Sequence, residues 1–230
     1  MKFWGVGLGP GDPELVTLKA LRVLREAGRV FVPLPGKGRK SIAASVMGEH
    51  LNRETIPLVF PMVTDSRSRD ASLREQLEEL RPLWEGAPSI ALPVIGDSAL
   101  FSTAAYLYDV LRSLEEDLEL GLVPGVSAHS LASSRAGRFL ALGDERFSVV
   151  PGTAGISAVA AILAASDAAA IYKPSSLGSS LKDVVLGTGP WKTVIRVDRA
   201  GFPEERVLEG EEALLPALEY LSVVELLRWR

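Results

Sequence analysis

Apolar runs in the first half of the chain alternate with segments whose apolar residues recur at helical spacing. The runs predict strands at residues 2–8, 29–33, 55–60, 89–97 and 118–123. Because strands that alternate with helices form parallel sheets, we expect a parallel α/β sheet with its functional loops at the carboxyl ends of the strands. The loops at Gly9, Asp97 and Pro124 are therefore the first candidates for a binding site.

Helices are predicted between these strands. Asp12 and Pro13 supply an N-cap and a first-turn proline for the first helix, which is expected to end at Gly28. The residues expected on its buried face are Leu15, Val16, Leu18, Ala20, Leu21 and Leu24. Further helices are expected over residues 41–51 and 101–114, and after Asp70, which is the expected N-cap of another.

The second half of the chain is less regular. Strands are expected in FSVVPG, AAAIYK, KTVIRVD and LSVVELL, and an Ala-rich helix is expected from Ile156. The pattern predicts two α/β domains, residues 1–124 and 125–230. The boundary near Pro124 is soft, because neither a linker nor a change of composition marks it.

Composition excludes several classes of protein. A chain of 230 residues that is 47% apolar can form a large core, and its net charge of −4 argues against nucleic acid as a partner. The chain has no cysteine and only two isolated histidines, His50 and His129, so no protein-bound metal is expected. With no signal sequence, and with the Ala-rich stretch interrupted by Ser166 and Asp167, we expect a cytoplasmic protein and no membrane partner.

The glycine-rich opening segment, GVGLGPGDP, is not a phosphate-binding loop of a known kind. Its glycines fall at positions 5, 7, 9 and 11, which does not fit the dinucleotide fingerprint, and no Gly-Lys-Ser/Thr follows. Asp12 would also repel a phosphate at the start of the next helix. The segment is either a tight strand-to-helix turn or a site for another kind of ligand.

Several segments resemble the tetrapyrrole methylases, a class of S-adenosylmethionine (SAM) methyltransferases. VGLGPGDPELVTLKA resembles their opening signature, PVIGDSALFSTAAYL their G-D-P-x-x-[YF]-S-T loop, and VPGVSAHS their P-G-[VI]-[TS]-[SA] loop. GDERFSVVPGT and the terminal LEYLSVVEL extend the similarity over nearly the whole chain. FPMVTD (residues 60–65), Trp84 and the Ser-Thr after the Gly-Asp loop are similar to the branch that methylates precorrin-2.

The resemblance implies two α/β domains with SAM in the trough between them, and a homodimer. The implied reaction is methylation of precorrin-2 or cobalt-factor II at the C-20 meso carbon in cobalamin biosynthesis, with S-adenosyl-L-homocysteine as the second product. Methylation at another ring position and a non-catalytic SAM or tetrapyrrole binder remain alternatives. An RNA target is disfavoured by the acidity of the chain, and a nicotinamide-dependent oxidoreductase by the spacing of its glycines.

The resemblance also implies cofactor-binding residues, most of them small, which lets the backbone approach a ligand closely. They are Pro10, Gly96, Asp97, Ser98, Leu100, Phe101, Ser127, Ala128, Tyr172 or Lys173, and Thr193. The chain departs from the family pattern at Ser98, where proline is usual, at Phe101, where tyrosine is usual, and in a short segment from Val207 to Leu218. Because serine lacks the fixed φ of proline, we expect a softer loop at Ser98.

Methyl transfer from a sulfonium depends mainly on holding the attacking carbon roughly 3 Å from the methyl group. The methylated carbon must then lose a proton, to water or to a base. Asp97 and then Asp12 are the candidate bases, although each also suits a role as loop acceptor or helix cap.

The acidic chain also has two basic clusters that suit the substrate's carboxylates. Their residues are Lys37, Arg39 and Lys40, and Arg67 and Arg69. Solvated loop charges are the alternative interpretation of both clusters. His129 is interpreted as a helix-start residue more readily than as a catalyst.

Overall fold

The computed structural model describes residues 1–61 and 65–229, which divide into two compact units. The first unit is Met1–Ser127 and the second is Ala128–Arg230. The division falls after Ser127, three residues beyond the boundary predicted near Pro124. Each unit contains a five-stranded sheet with helices, so the predicted α/β fold class is confirmed.

The first unit is built on a wholly parallel sheet. Its elements are β1 (Lys2–Gly7), a 3-10 turn (Pro13–Leu15), α1 (Leu18–Glu26), β2 (Arg29–Leu34), α2 (Ile42–Gly48), β3 (Ile56–Val59), α3 (Ser66–Glu79), α4 (Arg81–Trp84), β4 (Ser89–Val94), α5 (Thr103–Arg112) and β5 (Glu119–Val123). The strand order is β3-β2-β4-β1-β5, and every neighbouring pair is parallel. All five carboxyl ends therefore lie along one edge, which we call the carboxyl edge.

Apolar layers cover both faces of this sheet. One layer joins Phe3 and Leu92 of the sheet to Leu77, Trp84 and Leu107 of α3, α4 and α5, and all five side chains are fully buried. The indole N–H of Trp84 donates to the carbonyl of Leu77 at 2.9 Å, so the ring is buried with its polar group satisfied. A second layer on the opposite face packs α1 and α2 against the sheet. Continuous apolar strands are what a sheet buried on both faces requires.

The first helix begins later than the sequence pattern predicted. Asp12 accepts the Glu14 N–H and caps only the 3-10 turn, whereas Thr17 caps α1 by accepting the Ala20 N–H. The prediction that Leu18 lies on the buried face is wrong, because its side chain is 86% exposed. The break between the turn and α1 changes the helical phase, so that Ala20, Val23 and Leu24 form the buried side.

The third helix begins earlier than predicted. Asp65, not Asp70, is its N-cap, and the Asp65 carboxylate accepts the backbone N–H and the hydroxyl of Ser68. These bonds hold the pKa of Asp65 below its usual value. Asp70 lies within the helix and pairs with Arg69. Residues 62–64 of the predicted FPMVTD motif lie outside the described residues.

The second unit has a mixed sheet. Its elements are α6 (Ala128–Ala136), β6 (Phe147–Pro151), a 3-10 turn (Gly152–Ala154), α7 (Ile156–Ala164), β7 (Ala168–Tyr172), a 3-10 turn (Pro174–Leu177), α8 (Ser180–Gly187), β8 (Thr193–Asp198), β9 (Arg206–Glu209), a 3-10 turn (Glu212–Leu214) and β10 (Ser222–Leu227). The order is β6-β7-β10-β8-β9, with β6 and β7 parallel and the other pairs antiparallel. None of the helices in the part of the chain that the structure describes is long and apolar enough to cross a membrane.

A buried carboxyl group lies inside the second unit. Glu225 of β10 is fully buried and alternates with Val224 and Leu226, which pack with α7 and α8, so its side chain is on the face that α6 covers. Neither Glu225 oxygen accepts a hydrogen bond of normal geometry from the described residues. Burial raises the pKa of Glu225 to about 8, although the nearby backbone of Ser133 opposes this.

Glu225 makes the stability of the protein depend on pH. The pKa of this carboxyl is 4.5 in the unfolded chain and about 8 in the folded chain. Between these pH values the folded protein binds a proton that is released on unfolding. The free energy of unfolding should therefore fall as the pH rises from about 5 to 8, by a few kcal/mol. Glu225→Gln should remove this contribution, so that the variant gains urea resistance relative to the wild type as the pH rises.

The control is Glu209→Gln, which changes an exposed glutamate on β9 of the same sheet. Its urea midpoint should follow that of the wild type at every pH. Parallel pH profiles for the wild type and Glu225→Gln would contradict the prediction.

Candidate functional site

The loops after β1, β4 and β5 meet at the carboxyl edge of the first unit. Gly9 and Gly96 exchange backbone hydrogen bonds of 3.2 and 2.7 Å across two of these loops. A Cβ on Gly7 would lie 2.6 Å from the nitrogen of Gly125, and a Cβ on Gly125 would lie closer still to the carbonyl oxygen of Gly96. Only glycine fits there, and the three loops expected from the sequence are in contact.

Side chains of the β4 loop reinforce this contact. The Asp97 Oδ1 accepts the Ala99 N–H at 2.8 Å, and its Oδ2 accepts the Gly125 N–H at 2.9 Å. Ser98 is 4% exposed, and its hydroxyl donates to the carbonyl of Val123 at 2.8 Å. Asp97 and Ser98 thus tie the β4 loop to the end of β5. A softer loop was expected at Ser98, because serine lacks the fixed φ of proline. The hydrogen bond of its hydroxyl restrains the loop in a way that proline could not.

The same loop leads into a groove beside α5. Phe101 has a φ of 51°, a left-handed conformation that costs a non-glycine residue about 1–2 kcal/mol, and its ring is 43% exposed. The groove encloses about 360 Å³ and is lined by Ser98, Phe101, Tyr106, Leu120 and Leu122, among others. We call it the α5 groove. Strained backbone of this kind is concentrated at functional sites.

The predicted basic residues follow β2 and β3, which are neighbours in the sheet. Lys37, Arg39 and Lys40 are exposed in the segment after β2. Arg67 and Arg69 lie in the first turn of α3, which comes after β3, and Arg67 is exposed. The guanidinium of Arg69 lies 3.7 Å above the ring of Tyr106 and pairs with Asp70 at 2.8 Å. Both basic clusters therefore follow carboxyl ends on one side of the edge.

In the second unit, the structure brings together the ends of β6 and β7. A Cβ on Gly152 would lie 2.6 Å from the carbonyl oxygen of Lys173, so the two strand ends are in close contact. Lys173 itself has a left-handed φ of 52° and precedes the 3-10 turn at Pro174. Tyr172 and Lys173, predicted as alternatives for cofactor binding, therefore belong to one tight turn.

Tyr172 is also joined to the start of α6. Its hydroxyl oxygen accepts the backbone N–H of His129 at 3.3 Å and lies 2.8 Å from the Nδ1 of His129. Ala128, another predicted cofactor residue, directly precedes His129 in this turn. Burial lowers the pKa of His129, so that its imidazole is neutral at pH 7.

Thr193 lies away from these residues. It begins β8 and pairs with Leu227, which pairs in turn with Ala168 at the start of β7. Tyr172 is at the other end of β7, so the structure does not bring Thr193 together with Tyr172 and Lys173. The part of β8 on the same edge as Tyr172 is its end, Asp198.

Arg199, with a φ of 52°, follows Asp198 at this edge. No motif in the sequence marks this turn. The end of the predicted strand KTVIRVD could have indicated this turn. A turn that follows a strand end on the same edge as Tyr172 lies near Tyr172.

The chain is similar in sequence to a known family of proteins. The family profile for Tetrapyrrole (Corrin/Porphyrin) Methylases matches residues 2–216. A protein of Methanocaldococcus jannaschii named "Probable cobalt-precorrin-2 C(20)-methyltransferase" is 30% identical over 91% of this chain and 87% of its own. The Precorrin-2 C(20)-methyltransferase of Sinorhizobium sp. is 26% identical over 98% of this chain and 95% of its own.

The fold has solved counterparts. The crystal structure of uroporphyrin-III C-methyl transferase from Thermus thermophilus, complexed with S-adenyl homocysteine, has a TM-score of 0.70 to this chain. It is 22% identical, and the match covers 99% of this chain and 92% of that one. This likeness shows a shared fold.

Because the three loops are in close contact, adding one methyl group at Gly125 should destabilise the fold. Gly125→Ala should lower the free energy of unfolding by about 3 kcal/mol or more, because its Cβ would overlap the backbone of Gly96. The measurement is the urea midpoint of the full chain. Gly48→Ala in α2 is the matched control, since nothing lies within 4 Å of its Cβ, and it should leave the midpoint unchanged or raise it slightly. Equal midpoints for the two variants would show that the loops have room for a side chain.

Proposed function

The chain belongs to the Tetrapyrrole (Corrin/Porphyrin) Methylases, and we propose that it transfers the methyl group of SAM to C-20 of precorrin-2 or its cobalt form. The observation that carries this proposal is the 30% identity over 91% of the chain with the relative from Methanocaldococcus jannaschii. The second product is S-adenosyl-L-homocysteine, and the reaction is a step of cobalamin biosynthesis. The substrate is a tetrapyrrole in either form.

The three meeting loops suit the cofactor. Where Gly7, Gly96 and Gly125 approach one another, the carboxyl edge carries backbone N–H and C=O groups with few side chains to obstruct them. An adenosine or a methionine moiety can be bound by such groups directly. We assign SAM to the residues that the family resemblance implies. They are Pro10, then Gly96, Asp97, Ser98, Leu100 and Phe101 of the β4 loop, and Ser127, Ala128, Tyr172 and Lys173. Thr193 is the weakest of the implied residues, because it lies at the other end of its strand.

The transfer itself is a positioning problem. SAM carries a methyl group already activated by its sulfonium, so the chain's contribution is to align that group with C-20. Asp97 and Asp12, the two predicted bases, both accept backbone N–H groups. This supports the loop-holding role for Asp97, with water as the proton acceptor. Asp97→Asn tests it: loss of the loop contact weakens SAM binding, whereas loss of a base lowers turnover at saturating SAM.

The basic clusters and the glycine loops follow different strands of the first sheet. The basic clusters follow β3 and β2, and the glycine loops follow β4, β1 and β5. We assign the substrate's carboxylates to the two basic clusters, with Arg67 and Arg69 as the planar donors that match them. The stacking of Arg69 on Tyr106 orients one guanidinium. An acidic chain can bind a polyanion in this way.

We also propose that the protein is a homodimer whose second copy covers the α5 groove. β5 is an edge strand, and two of its own residues, Leu120 and Leu122, are 47% and 41% exposed. Apolar surface along an unpaired strand edge is usually covered. Light scattering should give twice the mass of the chain, and Leu120→Glu should halve it, whereas Leu186→Glu, an exposed leucine of α8, should not. A monomeric wild type would overturn this assignment.

The decisive experiment is anaerobic incubation with methyl-labelled SAM and precorrin-2, with and without cobalt. We expect one labelled methyl group at C-20, identified by mass spectrometry and carbon NMR. The form that reacts faster, with or without cobalt, is the substrate. Label at another ring position would show that the protein is a tetrapyrrole methylase with a different site of methylation. No label in the presence of bound SAM would favour a non-catalytic binder.

The basic cluster on α3 should affect the substrate and not the cofactor. Arg67→Ala together with Arg69→Ala should raise the KM for the tetrapyrrole about tenfold, because charge-assisted hydrogen bonds to its carboxylates are lost. The Kd for SAM, measured by calorimetry, should stay the same. Arg112→Ala, at the far end of α5, is the control and should change neither constant. An equal loss of both affinities would indicate damage to the fold instead.

A further inference from the structure

His129 holds the hydroxyl of Tyr172 at two points. The backbone N–H of His129 donates to the phenolic oxygen at 3.3 Å, and the imidazole Nδ1 lies 2.8 Å from it. The two rings meet edge to face, with centroids 5.9 Å apart and planes at 72°. The ring of Phe147 lies on the imidazole as well, at 5.4 Å. The phenol is therefore fixed to the first turn of α6 by one residue whose own ring is held by a neighbour.

The protonation of the imidazole suits this bond. Burial lowers the pKa of His129, which favours the neutral ring at pH 7, and a neutral imidazole has one nitrogen that accepts a hydrogen bond. The phenolic oxygen accepts the backbone N–H, and the imidazole tautomer protonated at Nε2 lets the hydroxyl donate to Nδ1. Both groups are satisfied in one arrangement, which selects a single rotamer of the tyrosine.

The tyrosine is part of the turn assigned to SAM. Lys173, the next residue, has a left-handed backbone, and its carbonyl is in contact with Gly152. Small changes in the direction of Tyr172 would alter this turn, because the contact leaves no free space. A ligand that binds to the turn gains affinity when the turn is already in its bound shape.

We propose that His129 is a positioning residue for the cofactor, which fixes the turn of Tyr172 and Lys173 through the hydrogen bond to the Tyr172 hydroxyl. This inference rests on the proposed function, since it takes SAM to be the ligand of the turn. His129 does not act on the methyl group or on the macrocycle. Its removal therefore changes the affinity for SAM and leaves the rate of transfer at saturating SAM unaltered.

Calorimetry with SAM and the full chain tests the proposal. His129→Phe keeps a ring against Phe147 and removes the nitrogen, and Tyr172→Phe removes the hydroxyl. Each should raise the Kd for SAM about fivefold to tenfold, the effect of one hydrogen bond. The double variant should be no weaker than Tyr172→Phe, because loss of the hydroxyl already breaks both bonds, including the one to Nδ1 that His129→Phe removes. His129→Asn, which can place an oxygen near the position of Nδ1, should bind within about twofold of the wild type.

Two further readouts separate positioning from damage. The kcat of the His129 variants at saturating SAM should stay within about twofold of the wild type, and Ser134→Ala, which changes an exposed residue of the same helix, should change neither constant. If His129→Phe does not fold, Tyr172→Phe and His129→Asn still decide the question.

The possible failures are distinct. A wild-type Kd shared by His129→Phe and Tyr172→Phe would overturn the role of His129, as would effects that add in the double variant. A wild-type chain that does not bind SAM would overturn the proposed function itself.

Discussion

The candidate site depends on a close approach of backbone to backbone at the carboxyl edge of the first sheet. A Cβ on Gly7 or Gly125 would overlap the neighbouring backbone there, and the φ of 79° at Gly96 favours glycine. Gly9 and Gly96 share a pair of hydrogen bonds. Asp97 and Ser98 then join the β4 loop to the end of β5. The opening glycines are thus explained by packing between loops, which are distant in sequence, and this packing fixes the polar backbone groups offered to a ligand.

The parallel topology brings the basic segments and the glycine loops to the same edge. Because every strand of the first sheet runs in the same direction, each strand contributes its following loop to one edge. The strand order then places the two basic segments beside each other and the glycine loops beside each other. A net charge of −4 does not conflict with an anionic substrate, since recognition depends on the local charge beside the ligand.

Much of the first unit could be predicted because its signals are local. Continuous apolar runs and glycines after them mark buried strands and turns, and the alternation with helices implies a parallel sheet. Where a prediction needed the phase of a helix, it was wrong: α1 begins after a break, which leaves Leu18 exposed. The contact of His129 with Tyr172 and the burial of Glu225 arise from α6 packing on strands far along the chain, and no local pattern encodes them.

Ser98 shows how a local restraint can be replaced by a long-range one. A proline restricts φ in the folded and the unfolded chain alike, because the restriction is covalent. The hydroxyl of Ser98 is restrained only when the carbonyl of Val123 is in place, and Val123 pairs with Val6 at the end of β5. The order of the β4 loop is therefore coupled in this chain to the docking of an edge strand. A change that loosens β5 from β1 would loosen the assigned cofactor loop with it, even though β5 itself contributes no residue to the cofactor assignment.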